Sequence, residues 1–422
     1  MSKLNVLVVG ASVAGPTTAY WLARAGAKVT VIERFPKLRM GGQNIDIRTI
    51  GVSVMRKMQG MEAAVLAKKM ELDGISFVRR DGYSYGVLRA TGNPDQQSLV
   101  SEYEILRGDL AQILFDMTKD DEDIEYVFGE QVAAIHQSEA DDGPVTVEFL
   151  NGTPTSKYDL VVACDGATSR TRSIGLGCGL RDHMIPINSW AAYFSMQPDI
   201  TGGSKIGQAF SAPGGRFMAL GPDPLPDTSR VVLMGLHPRT AHDATLPFRE
   251  AAAQSDEALK QFVAKHFQGA GWKTDEVLKG MMGSADFYST EIFQVMPPTL
   301  HKGRFVLVGD AGYAPGPTGG GTTLAMAGAY LLAGEVVKHK GDLAAGLRGY
   351  EDRMRPIVKE LQKIPPLVPT VMAPQTAWGI WLRNNIFAFI TWSGVLNFAQ
   401  RFFGGAFDKN DEDKLPDYEW VR

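Results

Sequence analysis

The stretch Asn5-Val6-Leu7-Val8-Val9-Gly10-Ala11-Ser12-Val13-Ala14-Gly15 decides the fold of this chain of 422 residues. Its first five residues are mostly β-branched and apolar, which predicts a buried strand. Residues 16–25 carry apolar side chains at helical spacing, and Gly26 ends that helix. Lys28–Glu33 alternates like a second strand. Together these elements form the βαβ unit that opens a doubly wound α/β domain.

The glycine turn between the first strand and the helix has the spacing G-x-S-x-x-G. Gly10 permits the tight turn, Ser12 stands where a second glycine is usual, and Gly15 lets the helix pack closely on the strand. The helix N-terminus attracts phosphate, and a carboxylate that ends the second strand can accept hydrogen bonds from ribose hydroxyls. The residues predicted to bind a dinucleotide are Gly10, Ser12, Ala14, Gly15, Glu33 and Arg34.

Composition limits the classes of protein to which the chain can belong. Its length favours two domains, and a net charge of −4 gives no basic surface for nucleic acid. The two cysteines cannot build a disulfide framework, which fits a reducing compartment and predicts a cytoplasmic protein. The seven histidines lack the spacing of metal ligands, so we expect no metal site.

Two further motifs each follow a predicted buried strand. Residues 159–172 end in D-G-A-x-S-x-x-R, which begins at Asp165. Residues 309–312 read G-D-A-G and lead into the glycine-rich loop 315–321. A carboxylate at the end of a strand, such as Asp310, can accept hydrogen bonds from a polyol. The glycines allow backbone N–H groups to approach a ligand closely, and the helix that follows directs its positive end toward it.

With these three motifs in this order, residues 1–360 resemble the class A flavoprotein monooxygenases, which include para-hydroxybenzoate hydroxylase. The segment 39–48 most resembles that of the tetracycline-inactivating members. The resemblance implies non-covalent FAD, with NADPH or NADH and O2 as co-substrates. It implies hydroxylation or epoxidation of an electron-rich small molecule, aromatic or polyketide- or terpenoid-like, through a flavin C4a-hydroperoxide.

The resemblance also assigns roles to individual residues. It gives Arg39 a contact with NADPH, and it gives Asp46 and Arg107 contacts with FAD. Tyr313 stands where many relatives have histidine, and no residue is identified as a catalytic acid or base. The other positions expected to bind the flavin cofactor are Asp165, Asp310, Pro317, Gly320, Gly321 and Thr322.

We expect a three-layer, Rossmann-like FAD-binding domain built from residues 1–72, 102–180 and 284–365. A mixed or antiparallel β-sheet domain, residues 73–101 and 181–283, is inserted for substrate, and residues 366–422 form a C-terminal helix and tail.

Three runs are predicted as strands that return to the first sheet: Tyr126–Ile135, Val145–Phe149 and Leu160–Ala163. The residues predicted to contact substrate from the inserted sheet are Gln208 and Arg216, which can donate to a carbonyl or phenolate, and Phe194, Met196, Phe210 and Met218.

The aromatic segment Trp378–Phe407 contains an apolar run, Ile386–Leu396, that is too short to span a bilayer. We predict a helix that lies across both domains, with a membrane-surface helix as the alternative. The chain is expected to be a monomer or a homodimer. Two other functions stay open at this point: an FAD-dependent oxidase or dehydrogenase of the same fold, and a non-catalytic flavin-fold binding protein.

Overall fold

The computed structural model describes residues 3–39, 41–89, 103–137, 143–238, 240–241, 243–364, 371, 374–393 and 415–422. The strands are β1 Asn5–Val9, β2 Lys28–Glu33, β3 Asn44–Asp46, β4 Gly74–Val78, β5 Ser84–Arg89, β6 Glu104–Leu106, β7 Ile124–Phe128, β8 Val132–His136, β9 Val145–Phe149, β10 Ser156–Tyr158, β11 Leu160–Ala163, β12 Met184–Met196, β13 Ile206–Ala212, β14 Arg216–Pro222, β15 Ser229–Leu236, β16 Tyr288–Val295, β17 His301–Lys302 and β18 Phe305–Leu307. The helices are α1 Ala14–Arg24, α2 Ile50–Lys57, α3 Met61–Ala67, α4 Arg107–Asp116, α5 Arg170–Leu176, α6 Leu246–Gln254, α7 Asp256–Phe267, α8 Thr274–Gly283, α9 Asp310–Tyr313, α10 Gly321–Lys338, α11 Leu343–Leu361 and α12 Ala377–Ser393.

The first sheet has the order β17-β18-β11-β1-β2-β7 and is parallel except for β17. Its central strand β1 is apolar on both faces because both faces are covered. Val6 and Val8 pack in the core formed with α1 and α10, whereas Leu7 packs on the other side with Val145 and Val147 of β9. The predicted three-layer α/β domain is therefore confirmed.

The second covering layer is a separate antiparallel sheet of order β10-β9-β8. Of the runs expected to return to the first sheet, Leu160–Ala163 does so as β11, and Tyr126–Ile135 does so only through its first part, in β7. The expectation is wrong for the second part of that run, which lies in β8, and for Val145–Phe149, which pairs with β8 and β10 instead. The alternating pattern of this strand fits any sheet with one buried face, so the pattern alone does not choose the partner.

The inserted sheet has the order β16-β12-β15-β14-β13-β4-β5, and within it only β13 and β4 run parallel. Tyr288–Val295 pairs with β12, so the sheet extends past the domain boundary expected at residue 283. One face packs against α6, α7 and α8 through a cluster that includes Phe194, Phe210 and Met218. The other face turns toward the first domain, because Arg230 of β15 donates a hydrogen bond to the carbonyl oxygen of Gly42.

Helix α12 lies against β5 and β13 of the inserted sheet. It buries Arg383, which donates to the hydroxyl of Ser211 at 3.1 Å and places its guanidinium 4.2 Å from the ring centroid of Phe77. The predicted helix is present over Ala377–Ser393, and residues 394–407 of the predicted segment lie outside the described residues. Within the described part of the chain, no helix has the length and apolarity that a bilayer crossing demands.

Candidate functional site

The turn between β1 and α1 needs both of its glycines. Gly10 has a φ of +107°, and a β-carbon there would lie 2.7 Å from the carbonyl oxygen of Cys164. A β-carbon at Gly15 would lie 1.8 Å from the carbonyl oxygen of Gly10. Close packing of the turn against β11 therefore excludes larger residues, as the sequence pattern predicted. The turn presents the N-terminal end of α1 to a cleft.

That cleft brings together several residues predicted from separate parts of the sequence. Glu33 lies at its edge, where Oε2 accepts from the backbone N–H of Ala11 at 3.0 Å and Oε1 accepts from that of Phe35 at 3.1 Å. The carboxylate thus orders the glycine turn and leaves accepting capacity for a ligand. The residues that line the cleft are Ala11, Ser12, Glu33, Leu38, Arg39, Arg107 and Ala111.

Arginines make this cleft cationic. The guanidinium groups of Arg34 and Arg39 each lie 4.8 Å from the ring centroid of Phe35. Burial and then the neighbouring charge of Arg107 lower the pKa of Arg39. Among the described residues, none of these three arginines forms an ion pair with a carboxylate. A diphosphate at the α1 N-terminus would supply the missing negative charge, so this part of the site fits the dinucleotide.

Asp310 begins α9, is exposed, and lies close enough to Arg107 of the cleft to interact with its charge. Among the described residues, none donates a hydrogen bond to its carboxylate, although Gly321 is so close that a β-carbon there would lie 3.5 Å from Oδ1. Desolvation by the surrounding protein raises the pKa of Asp310, and the charge of Arg107 opposes that shift. An unsatisfied carboxylate in this position fits the hydroxyl groups of a flavin ribityl chain.

Asp46 lies on the opposite side of the glycine loop, with Oδ2 placed 4.0 Å from where a β-carbon on Gly319 would be. It pairs with Arg48 at 2.9 Å. The hydroxyl of Thr323 accepts from the backbone N–H of Arg48 at 3.1 Å and donates to its carbonyl at 3.0 Å. These two bonds connect the Asp46 segment to the first turn of α10, which contains the predicted residues Gly321 and Thr322. Gly320 directly precedes that turn, and Pro317 is exposed in the loop.

Sequence reasoning missed Glu104, which stands opposite Asp46 in the β3–β6 pair. Its carboxylate accepts from Nδ2 of Asn44 at 2.9 Å. Burial, and then the negative charge of Asp46, raises the pKa of Glu104 to about 7. The sequence signal that could have identified Glu104 is its position in the short strand β6, directly before Arg107. A shift of this size brings the ionisation of the Glu104 carboxyl near neutral pH.

The aspartate of the D-G motif forms its hydrogen bonds with residues of its own loop. Asp165 accepts from the hydroxyls of Ser169 and Thr171 and from the backbone N–H of Thr171 at 3.1 Å. The buried Arg172 of the same motif donates to the carbonyl oxygen of Ala311 at 2.9 Å. This bond joins the D-G motif to the G-D motif. The cofactor contact predicted for Asp165 therefore stays a prediction, whereas its role in ordering this junction is visible.

Tyr313 occupies the core behind the G-D motif rather than the cleft. Its hydroxyl lies 3.1 Å from that of Tyr350, which donates to the carbonyl oxygen of Leu307 at 2.7 Å. A β-carbon at Gly328 of α10 would lie 1.8 Å from the Tyr313 hydroxyl. The space for a tyrosine here is thus provided by a glycine on the facing helix.

Gln208 and Arg216 lie away from the cleft. Strand alternation puts Gln208 on the same face as Phe210, which packs against the α6–α8 layer. Arg216 donates to the carbonyl oxygens of Pro213 at 2.9 Å and Gln268 at 3.2 Å. The residues predicted with them, Phe194, Met196, Phe210 and Met218, belong to that same helix-facing cluster.

The cleft-facing side of the sheet carries different residues. Tyr193 and Tyr288 stack with ring centroids 6.2 Å apart, and Tyr288 lies close enough to Arg39 to oppose part of the lowering of its pKa by burial and by Arg107. Arg230 pairs with Asp286 at 2.8 Å and donates to the carbonyl of Gly42, which fixes the loop that follows Arg39. The side chain of Gln43 in that loop has a buried Oε1 without a partner among the described residues. These residues define a second wall that faces the cofactor cleft.

The chain matches the family model described as FAD binding domain over residues 3–363. It is 34% identical to the FAD-dependent monooxygenase asL4 of Sarocladium schorii, with 92% of this chain and 93% of the relative covered. It is 33% identical to a flavin-dependent monooxygenase of Legionella longbeachae, with 86% and 88% covered. The crystal structure of tetracycline destructase Tet(51) superposes with a TM-score of 0.77 at 26% identity, covering 99% of this chain and 100% of that one. The chain therefore belongs to the FAD-binding-domain family of flavin-dependent monooxygenases.

Proposed function

We propose that this FAD-dependent monooxygenase takes electrons from NADPH or NADH and uses O2 to hydroxylate or epoxidise an electron-rich small organic molecule. The observation that carries the proposal is the convergence of Asp310, Arg107 and Asp46 around the glycine loop 315–321. FAD, when bound, supplies the hydride-accepting and oxygen-activating chemistry. The chain itself must bind FAD, position the substrate and exclude water.

Residues of the first domain are assigned to the two ends of FAD. The turn Gly10–Gly15, with Ala14 packed against the G-D motif, would hold the diphosphate together with Arg34 and Arg107. Glu33 would accept from the adenosine ribose, and Asp310 would accept from the ribityl chain. The glycine loop and the N-terminus of α10 would direct N–H groups toward the flavin pyrimidine, where they favour negative charge.

Arg39 is proposed to bind the phosphate or ribose of the reductant. This proposal is supported by the excess of positive charge beside Phe35 and by the position of Arg39 between Arg107 and Tyr288. Burial lowers its pKa, yet arginine stays protonated at neutral pH. Since Arg230 fixes the next loop through Gly42, movement of the sheet relative to the first domain would also move Arg39.

The substrate is proposed to lie between the flavin and the sheet face that carries Tyr193, Tyr288, Phe217 and Met234. Burial raises the pKa of Tyr193 to about 12, so its hydroxyl is neutral and can donate to a carbonyl or phenolate oxygen. Phe217 and Met234, which pair across β14 and β15, add apolar surface to this wall, which suits a flat aromatic or fused-ring molecule and keeps water out. Similarity to a tetracycline destructase favours a fused-ring, phenolic substrate.

The experiment is a substrate screen on the purified protein. The expected protein is yellow, releases FAD on denaturation, and oxidises NADPH or NADH faster when a phenolic or polyketide-like compound is present. Mass spectrometry should show a product heavier by one oxygen atom, and 18O2 should label it. Stimulated oxidation that yields only H2O2 for every responding compound would favour an oxidase, and a protein that binds no FAD would refute the proposal.

A further inference from the structure

Helix α12 is amphipathic in the reverse of the usual sense. Its inward face contains Arg383 and Asn384, which are 8% and 4% exposed, together with Phe387, whose ring centroid lies 5.0 Å from that of Phe77. Its outward face contains a continuous apolar stripe at spacings of three and four residues. The members of this outward stripe are Trp378 at 67%, Trp381 at 55%, Leu382 at 36%, Ile386 at 50%, Phe389 at 61% and Trp392 at 84% exposure. A helix that buries an arginine and exposes three tryptophans is adapted to a second contact surface.

The size of the outward stripe is that of a protein interface. Its four aromatic side chains expose roughly 400–650 Å² in total, since a Trp or Phe side chain buries about 150–250 Å² when covered. Leu382 and Ile386 enlarge the patch to near the approximately 800 Å² per partner of a standard interface. A typical monomer has a largest apolar patch of only about 300–600 Å². Large aromatic residues are also the side chains that dominate interface energies.

The charges on α12 distinguish a protein partner from a lipid surface. Helices that lie on membranes keep a polar face rich in Lys and Arg in water. The only charged residue in 377–393 is Arg383, and it is held inside by Ser211 and Phe77. The one charged side chain of α12 within 377–393 is therefore held against the sheet and is not available to headgroups.

The sequence of the outward stripe also favours a copy of itself. Asn385 lies at its centre, seven residues after Trp378 and seven before Trp392. Asn385 donates to the carbonyl oxygen of Trp381 in its own helix at 2.7 Å, and the large apolar residues are spaced symmetrically about it, with Trp381 and Phe389 four residues to either side. A two-fold axis perpendicular to α12 at Asn385 would pair the helices antiparallel, with Trp378 against Trp392 of the other copy and Trp381 against Phe389.

We propose that two copies of this chain associate through α12, with the outward stripe of one copy packed on that of the other. Sedimentation-equilibrium analysis of the FAD-bound full chain between 1 and 100 µM should show a dimer. The triple variant W378Q/F389Q/W392Q should be monomeric over that range. The control L150Q/L225Q, which changes exposed leucines elsewhere, should remain dimeric. Both variants should keep the FAD absorbance and circular dichroism of the parent, because the changed side chains lie outside the core.

A cysteine at the centre of the outward stripe provides an independent test. Under mild oxidation, Asn385→Cys should form a disulfide-linked dimer at low micromolar concentration, whereas Leu225→Cys should not. A parent chain that is monomeric at 100 µM would overturn the proposal. So would a dimer that persists unchanged in the triple variant. Flotation of a monomeric parent with neutral phosphatidylcholine vesicles, abolished in the triple variant, would assign the outward stripe to lipid instead.

Discussion

Asp310 gives the most direct test of the cofactor site. Replacing it with asparagine keeps the shape of the side chain and removes its charge. In the FAD complex the carboxylate is expected to accept charge-assisted hydrogen bonds, each contributing about 1.5–3 kcal/mol. Loss of one such bond corresponds to an increase in the Kd for FAD of roughly tenfold to 150-fold. Loss of two would abolish retention of FAD during purification.

The same substitution should stabilise the protein when FAD is absent. Without FAD, no described residue donates to this carboxylate, and desolvation raises its pKa. A carboxyl group whose folded-state pKa exceeds its unfolded value contributes stability below the unfolded pKa and loses it as pH rises. Asp310→Asn removes that titration. The apoprotein variant should therefore have a higher Tm than the parent apoprotein, and the gain should be larger at pH 8 than at pH 5.

Two measurements test these opposite effects. Titration of apoprotein with FAD, followed by flavin fluorescence, gives the Kd, and thermal unfolding by circular dichroism gives the Tm with and without FAD. Asp352→Asn on the exposed surface of α11 is the matched control and should change neither quantity. A variant that binds FAD like the parent, or whose apoprotein unfolds at a lower temperature, would refute the reasoning.

Three further substitutions test the other walls of the cleft. Arg39→Ala should raise the KM for NADPH or NADH more than the Kd for FAD, whereas Arg34→Ala should do the reverse; identical effects would remove the reductant role from Arg39. Glu104→Gln should make the free energy of unfolding less dependent on pH between about pH 4.5 and pH 7. In the parent, the Glu104 carboxyl has a pKa of about 7, and its ionisation lowers the free energy of unfolding by up to about 3 kcal/mol as pH rises through this range. An unchanged pH profile of chemical denaturation would contradict that assignment. Tyr193→Phe should leave FAD binding intact and raise the proportion of H2O2 to oxygenated product, and unchanged coupling would exclude its hydroxyl from substrate positioning.

The first domain could be predicted because its decisive signals are local. The turn Gly10–Gly15 tolerates no side chain at either glycine, and the right-handed βαβ connection then fixes where β2 must lie. The D-G and G-D motifs each end a parallel strand, so they meet at the carboxyl edge of the sheet. These constraints act over a few residues, and sequence spacing records them.

The substrate wall could not be predicted in the same way. Alternation in β13 and β14 separates two faces, and Gln208 and Arg216 share one of them. Which face meets the cofactor depends on how the sheet docks on the first domain. That docking is set by contacts far apart in sequence, such as Arg230 with Gly42. Glu104 was missed for the same reason, since its pKa depends on its burial and then on Asp46, across a strand pair.

The contact between Tyr313 and Gly328 restricts the order in which these positions can change during evolution. Any residue larger than glycine at 328 collides with the tyrosine hydroxyl, so Gly328→Ala should be tolerated only in a chain where position 313 has already become smaller. A lineage that exchanges histidine and tyrosine at 313 must therefore pass through the state with glycine at 328. Directed-evolution libraries that vary position 328 alone will reach few functional variants, whereas libraries that vary both positions together open the alternative packing.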